Sequence, residues 1–117
     1  MTDREMLELA AKAAGVVLDG EWSDTDRMSV SAGGWWNPLT DDGDALRLAA
    51  QLGLEVSFVG DDADGRDSEC SVGYPESVRR PCRIKYVFEP HRGDIFAATR
   101  RAIVRAAAAI QQAKERT

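Results

Sequence analysis

Cysteine is scarce, histidine nearly absent, and long apolar runs are missing. Only Cys70 and Cys82 carry thiols and only His91 an imidazole. A zinc site of four cysteines, or of two cysteines and two histidines, cannot be built from them. A lone His91 argues against Ser-His-Asp and Cys-His catalysis. No apolar stretch approaches the roughly 18 residues of a membrane span. The opening MTDREMLELAAKAAG places acids where a secretory signal carries bases, so a cytosolic protein is expected. Phosphate-loop chemistry also lacks its residues: SAGGWW is glycine-rich but has no Lys-Ser/Thr pair, and neither a nucleophile elbow nor an H-E-x-x-H helix is present. The acidic stretch DDADGRD fails as a calcium loop. With Gly65 at the invariant glycine position, Gly60 and Ser71 fall where both end ligands belong. No cofactor or metal is expected.

The chain has 117 residues, 44% hydrophobic and 30% charged, enough for one domain with a modest core. Its net charge of −5 hides a polarity. Residues 1–67 hold 15 acids and 5 bases, whereas residues 68–117 hold 5 acids and 10 bases. Either the molecule has an acidic and a basic side, or folding interleaves the halves and cancels the difference.

Periodicity predicts a helix from about Asp3 to Ala14, capped by Thr2 or Asp3, with Met6, Ala10, Ala13 and Val17 on its apolar stripe and Gly15 at its end. Residues 16–22 suit a short strand or extended arm, and MSVSAGGWWNPL a second strand with a glycine kink. A second helix is expected from about Asp41 to Leu52, with Thr40 as its cap, Asp41, Asp42 and Asp44 against the positive end of the helix dipole, and Gly53 beyond it. Residues 54–59 alternate, with Leu54, Val56 and Phe58 on one face. Two further strands, 68–75 and 82–90, flank PESVRRP. A hairpin centred on Glu76 would set Cys70 opposite Cys82 as buried reduced thiols, with Cys82, Ile84, Tyr86 and Phe88 inward. The last helix begins near Gly93-Asp94, and Phe96, Ile103, Ala107 and Ile110 share a face. Its alanines, 106–109, let a neighbour approach closely. The order predicts an α+β fold: a single domain over 1–117, an α/β/α-type sandwich of about three helices around a small, mainly antiparallel sheet.

The densest segment is WWNPLTDDGDALRLAAQLGL. Adjacent residues of a strand point opposite ways, so one of Trp35 and Trp36 can be core while the other is exposed as a contact point; the alternative packs both as an anchor. Pro38 holds Asn37 extended at the helix entrance. Asp41, Asp42 and Asp44 serve the helix start or, with a further acid, a magnesium ion. Arg79, Arg80, Arg83, Lys85, Arg92, Arg100, Arg101 and Arg105 form the basic set. With an acidic total and no recognisable motif, solvated faces or an acidic protein partner account for them better than nucleic acid.

WNPLTDDGDALRLAAQLGLEV and AATRRAIVRAAAAI, with the opening LELAAKAAG, resemble the phage ABA sandwich domain family, small phage and prophage proteins mostly without assigned function. The resemblance implies helix, sheet and helix layers, and singles out Trp36, Asn37, Pro38, Asp42, Asp44, Arg47, Thr99 and Arg100. It brings no catalytic residues. It implies that Thr99 and Arg100 can hold the loop carrying Asn37 and the aspartates. The expected function is a phage- or prophage-encoded accessory protein of the host cytoplasm that binds rather than catalyses, occupying a host protein or complex and interfering with host defence, its acidic first half imitating nucleic acid toward a nucleic-acid-binding host complex. Trp35, Trp36, Asn37, Asp41, Asp42, Asp44, Arg47, Arg100 and Arg101 are its candidate binding residues. A homo-oligomer stays open. The alternative is a nucleotide-sequestering protein that stacks a base on Trp35 or Trp36 and meets phosphate with Arg100 or Arg101. A third reading is a metal-dependent enzyme using Asp41–Asp44.

Overall fold

A computed structural model describes residues 1–22, 28–30, 33–59, 68–77 and 79–116. Its elements are α1 (Asp3–Ala14), β1 (Leu18–Trp22), β2 (Met28–Val30), β3 (Trp35–Trp36), α2 (Asp42–Leu52), β4 (Glu55–Val59), β5 (Glu69–Pro75), β6 (Ile84–Pro90) and α3 (Ile95–Glu115). The strands form two antiparallel sheets, β1-β2-β3 and β4-β5-β6. The α+β class with three helices and antiparallel strands is therefore what the chain adopts, with its strands divided between two sheets. The acidic loop 60–67, read above as a failed calcium site, lies outside the described residues.

Helix ends follow local chemistry. The Thr2 side chain accepts the Glu5 N–H at 3.1 Å, Asp94 accepts that of Ala97 at 3.0 Å, and Gly15 and Gly53 close α1 and α2 in the left-handed conformation. The cap of α2 is Asp41 rather than Thr40: its carboxylate accepts the Asp44 N–H at 2.8 Å. A carboxylate there also meets the helix dipole, which the Thr40 hydroxyl does not.

The core surrounds α3. Ala98, Ala102, Ile103, Val104, Ala106, Ala107 and Ala108 are all buried, and together they leave little of the helix circumference free. Its neighbours are α1, α2, β5 and β6. A helix enclosed on so many sides needs small side chains, since each close approach is limited by what stands between the backbones. Met6, Leu7, Ala10, Leu48, Cys70, Val72 and Val87 complete the cluster from around it, and Met28 and Trp36 join it from the first sheet. Val17 and Phe96 were expected on buried stripes, but they are 64% and 66% exposed. Val17 lies beyond the Gly15 stop, where helical spacing no longer applies, and Phe96 sits in the first turn of α3, before the packed portion begins.

The strand β6 presents the other face from the one expected. Pro75 pairs with Ile84, Val72 with Val87 and Cys70 with Glu89, not with Cys82. The turn spans the residues between Pro75 and Ile84, closed by Glu76 N–H to the Arg83 carbonyl at 2.7 Å. Relative to a hairpin centred on Glu76, the pairing is displaced by an odd number of residues, and an odd displacement exchanges the two faces. Val87 is thus buried, while Ile84, Tyr86 and Phe88 are exposed on the opposite side. There the Tyr86 ring leans over the central strand: a Cβ on Gly73 would stand 3.1 Å from Tyr86 Cε1 and from Ile84 Cγ2.

Both cysteines are free, Cys70 buried and Cys82 exposed, so the expectation of two buried thiols fails at Cys82. Burial pushes the Cys70 thiol up from its ordinary pKa, with Thr99 opposing and the Glu89 charge reinforcing. Since the thiolate is the reactive form, native protein titrated with a thiol reagent at pH 8 is expected to yield Cys82 alone, and Cys70 only after denaturant is added. Equal native reactivity of both thiols would contradict this packing.

Candidate functional site: a braced helix entrance beside an apolar groove

The short hairpin β2–β3 positions the tryptophans. Met28 pairs with Trp36 and Ser29 with Trp35. Paired residues share a face, so Met28 and Trp36 enter the core together and Trp35 turns away. Trp36 is 8% exposed and Trp35 50%. The alternation expected of adjacent strand residues holds, and the two-ring anchor does not.

Asn37 then organises the approach to α2. It is buried, as is Pro38 behind it. Its side-chain Oδ1 accepts the Leu39 N–H at 2.9 Å, and its carbonyl accepts the N–H groups of Thr40 at 3.2 Å and Asp41 at 3.0 Å. This is an Asx-type turn in which one residue satisfies three donors of a segment too short for a ladder. Its own N–H donates to Asp44 Oδ2 at 2.9 Å.

Asp44 is a buried carboxylate, its side chain 11% exposed. Burying that charge is costly unless it is paired and hydrogen-bonded. Besides Asn37, it accepts Arg47 Nη2 at 2.7 Å. The Arg47 guanidinium folds across Gly43 to arrive there: a Cβ at Gly43 would lie 3.3 Å from Arg47 Nη1 and Nη2. Any residue but glycine crowds this path.

The terminal helix supplies the brace. Arg100 Nε donates to the Leu39 carbonyl at 2.8 Å and its Nη1 to Asp42 Oδ1 at 2.6 Å. The expected tie between the two motifs is thus made by Arg100. Thr99 does not share in it; its hydroxyl donates to the Ile95 carbonyl at 2.7 Å, within its own helix. Arg101 turns elsewhere, with Nη1 3.3 Å from Asp3 Oδ1 and Nε 3.9 Å from Glu89 Oε1. Asp42–Arg100 and Asp3–Arg101 each join an acid of the first half to a base of the second, so the halves interleave and their charges partly cancel.

Of the nine candidate residues, eight are therefore drawn into internal contacts, and only Trp35 stands apart as an exposed ring. Among the described residues no group of three His, Cys, Asp or Glu side chains is arranged to hold a metal ion.

The feature that sequence reasoning missed lies next to the brace. A groove of about 450 Å³ opens between α2, β4 and the start of α3, with Asp42 and Arg100 at one side. Its apolar walls include Leu46 at 70% exposure, Phe96 at 66%, Phe58 at 56% and Ile95 at 39%. The available signal was the surplus of apolar side chains over what the buried stripes use: Leu46 beside its stripe, and Ile95-Phe96 in the first turn of α3. Neither a family model, nor a curated protein, nor a solved structure matches this chain.

The brace makes a graded prediction for stability. Asp44→Ala removes a buried charged acceptor from Asn37 and Arg47 and is expected to cost about 2–3 kcal/mol in urea unfolding. Asp42→Ala is expected to cost under about 1 kcal/mol, since the Asp42 side chain is 71% exposed. Equal losses in the two variants would refute the assignment of Asp44 as the buried organiser.

Proposed function

We propose that this protein is a non-catalytic binding module, encoded by a phage or prophage and acting in the host cytoplasm by occupying the surface of a host protein, with a defence complex as the target class. The observation that carries the binding reading is the apolar groove: four large side chains converge on one concavity beside a rigid polar brace. Clustered exposed apolar groups of this kind mark contact surfaces, whereas isolated ones are ordinary. The accessory role rests on the resemblance of residues 36–56 and 97–110 to the phage ABA sandwich domain family.

The occupant is a protein segment with apolar side chains and at least one base. Asp42 stands at the groove, and Asp94 precedes Ile95 at the first turn of α3. Both are exposed. Each already has Oδ1 in an internal contact, Asp42 with Arg100 and Asp94 with the Ala97 N–H, and a cation on the partner meets the other oxygen; such pairing adds on-rate and salt sensitivity more than affinity. Membrane attachment through a spanning helix has no support: among the described residues no helix is long and apolar enough to cross a bilayer.

The nucleotide reading is less well supported. It needs Arg100 or Arg101 for phosphate, yet Arg100 is held by Leu39 and Asp42 with its side chain 18% exposed, and Arg101 is engaged by Asp3 and Glu89. The metal-enzyme reading needs free carboxylates, but Asp41 caps α2 and Asp44 is spent on Asn37 and Arg47.

Co-purification from host lysate tests the proposal when wild type is compared with Leu46→Glu/Phe96→Glu. Both positions are exposed, so the variant is expected to fold with an unchanged circular dichroism spectrum. Wild type is expected to retain a partner that the variant loses and that elutes as salt rises. Recovery of the same proteins by both would remove the groove from the account, and a rise in melting temperature with nucleotides would return the binding reading to a small ligand.

A further inference from the structure

A second surface lies at the opposite edge of the same β4-β5-β6 sheet, along the outer side of β6. Among the described residues, strand order β4-β5-β6 leaves β6 with one unpaired side. The Arg83 carbonyl faces β5, because it accepts the Glu76 N–H. Backbone groups alternate along a strand, so Lys85, Val87 and Glu89 also face β5, and Ile84, Tyr86 and Phe88 aim their N–H and C=O groups outward. The Phe88 carbonyl confirms the direction, since it accepts Arg105 Nη1 from α3 at 3.0 Å. Pro90, with no N–H to offer, ends the usable edge.

Such an edge is normally blunted or covered. Here it borders a groove of about 550 Å³. Ala108, Ala109 and Gln112 of α3 line it from one side, and Met1 and Met6 from another. Helices α1 and α3 thus bound it on one flank and β6 on the other. Arg105 is the charged side chain of its lining, and further cations flank the two ends of β6. Arg80, Arg83 and Lys85 all stand 3.9–4.0 Å from the one carboxylate of Glu76. Arg101 and Arg105 share Glu89, and Arg101 also reaches Asp3. Five cations thus share three carboxylates.

We propose that the β6 edge is a docking groove for an extended segment of a partner protein, apolar at alternate positions and acidic at its ends, which adds as a fourth strand of the β4–β6 sheet. Backbone pairing with Ile84, Tyr86 and the Phe88 N–H supplies the register, while the Phe88 carbonyl stays with Arg105. One set of the segment's side chains lies over Ala108, Ala109 and Met6, where small β-branched groups fit the shallow floor. The acidic ends meet the surplus of arginine and lysine. This surface is distinct from the groove of α2, β4 and α3, and its partner need not be the same protein.

The probe is a short fluorescent peptide alternating valine and threonine between acidic ends, compared with one of the same core and lysine ends. Fluorescence anisotropy is expected to show saturable binding of the acidic peptide that weakens with salt, and at least roughly tenfold weaker binding of the lysine-ended one. Tyr86→Pro deletes an outward N–H to which no hydrogen bond among the described residues is assigned, and is expected to weaken binding about tenfold with an unchanged circular dichroism spectrum. If that variant does not fold, Arg83→Glu/Lys85→Glu replaces it and is expected to abolish the preference for acidic ends. Leu46→Glu is expected to leave peptide binding unchanged. No saturable binding to wild type, or equal binding by the edge variants, overturns the proposal. So does a concentration-dependent dimer that Tyr86→Pro dissolves, which assigns the edge to a second copy of the chain.

Discussion

The buried carboxylate of Asp44 is the constraint on which the candidate region depends. A desolvated charge has few stable arrangements, and this one is satisfied by the Asn37 N–H on one oxygen and by Arg47 on the other. Fixing Asn37 fixes the turn that its carbonyl and side chain organise, and thereby the direction in which Asp41 presents its cap to α2. Arg100 then ties this turn to α3 by grasping the Leu39 carbonyl. A break at Asp44 would release the entrance of α2 and the seat of Trp36 together.

This arrangement divides the labour between polar and apolar groups. The acids and arginines that first suggest chemistry are consumed in holding the segment rigid. Apolar or backbone groups remain uncovered at the groove walled by Leu46, Phe58, Ile95 and Phe96, and at the edge of β6. Rigidity behind a contact surface lowers the entropy lost on association, so the brace would favour binding at the proposed groove. The alanine-rich α3 links the two. It carries Arg100 and Phe96 toward one surface and Arg105 and Ala108 toward the other.

Much of this was legible in the residues because it is local. Caps such as Thr2 and Asp94, the glycine stops at Gly15 and Gly53, and the opposed orientations of Trp35 and Trp36 all follow from neighbours within a few positions. Of the two residues expected to hold the Asn37 loop, Arg100 makes the tie and the Thr99 hydroxyl instead bonds within α3. What failed was set at longer range. The faces of β6 depend on the parity of a turn, and a stretch of Ile84, Tyr86 and Phe88 reads as core whichever way that parity falls. Phe96 failed for a related reason: periodicity gives a residue's side of a helix but not whether anything packs there.

The central claim is that the Asn37 amide is locked onto a buried carboxylate and opens only when α2 itself comes apart. Native-state hydrogen exchange at Asn37 tests it most directly. The account predicts protection close to that of interior α2 amides such as Leu48, with both released in one cooperative step as denaturant is added. Rapid exchange at Asn37 while Leu48 stays protected would show a loose helix entrance, and the account would not survive it.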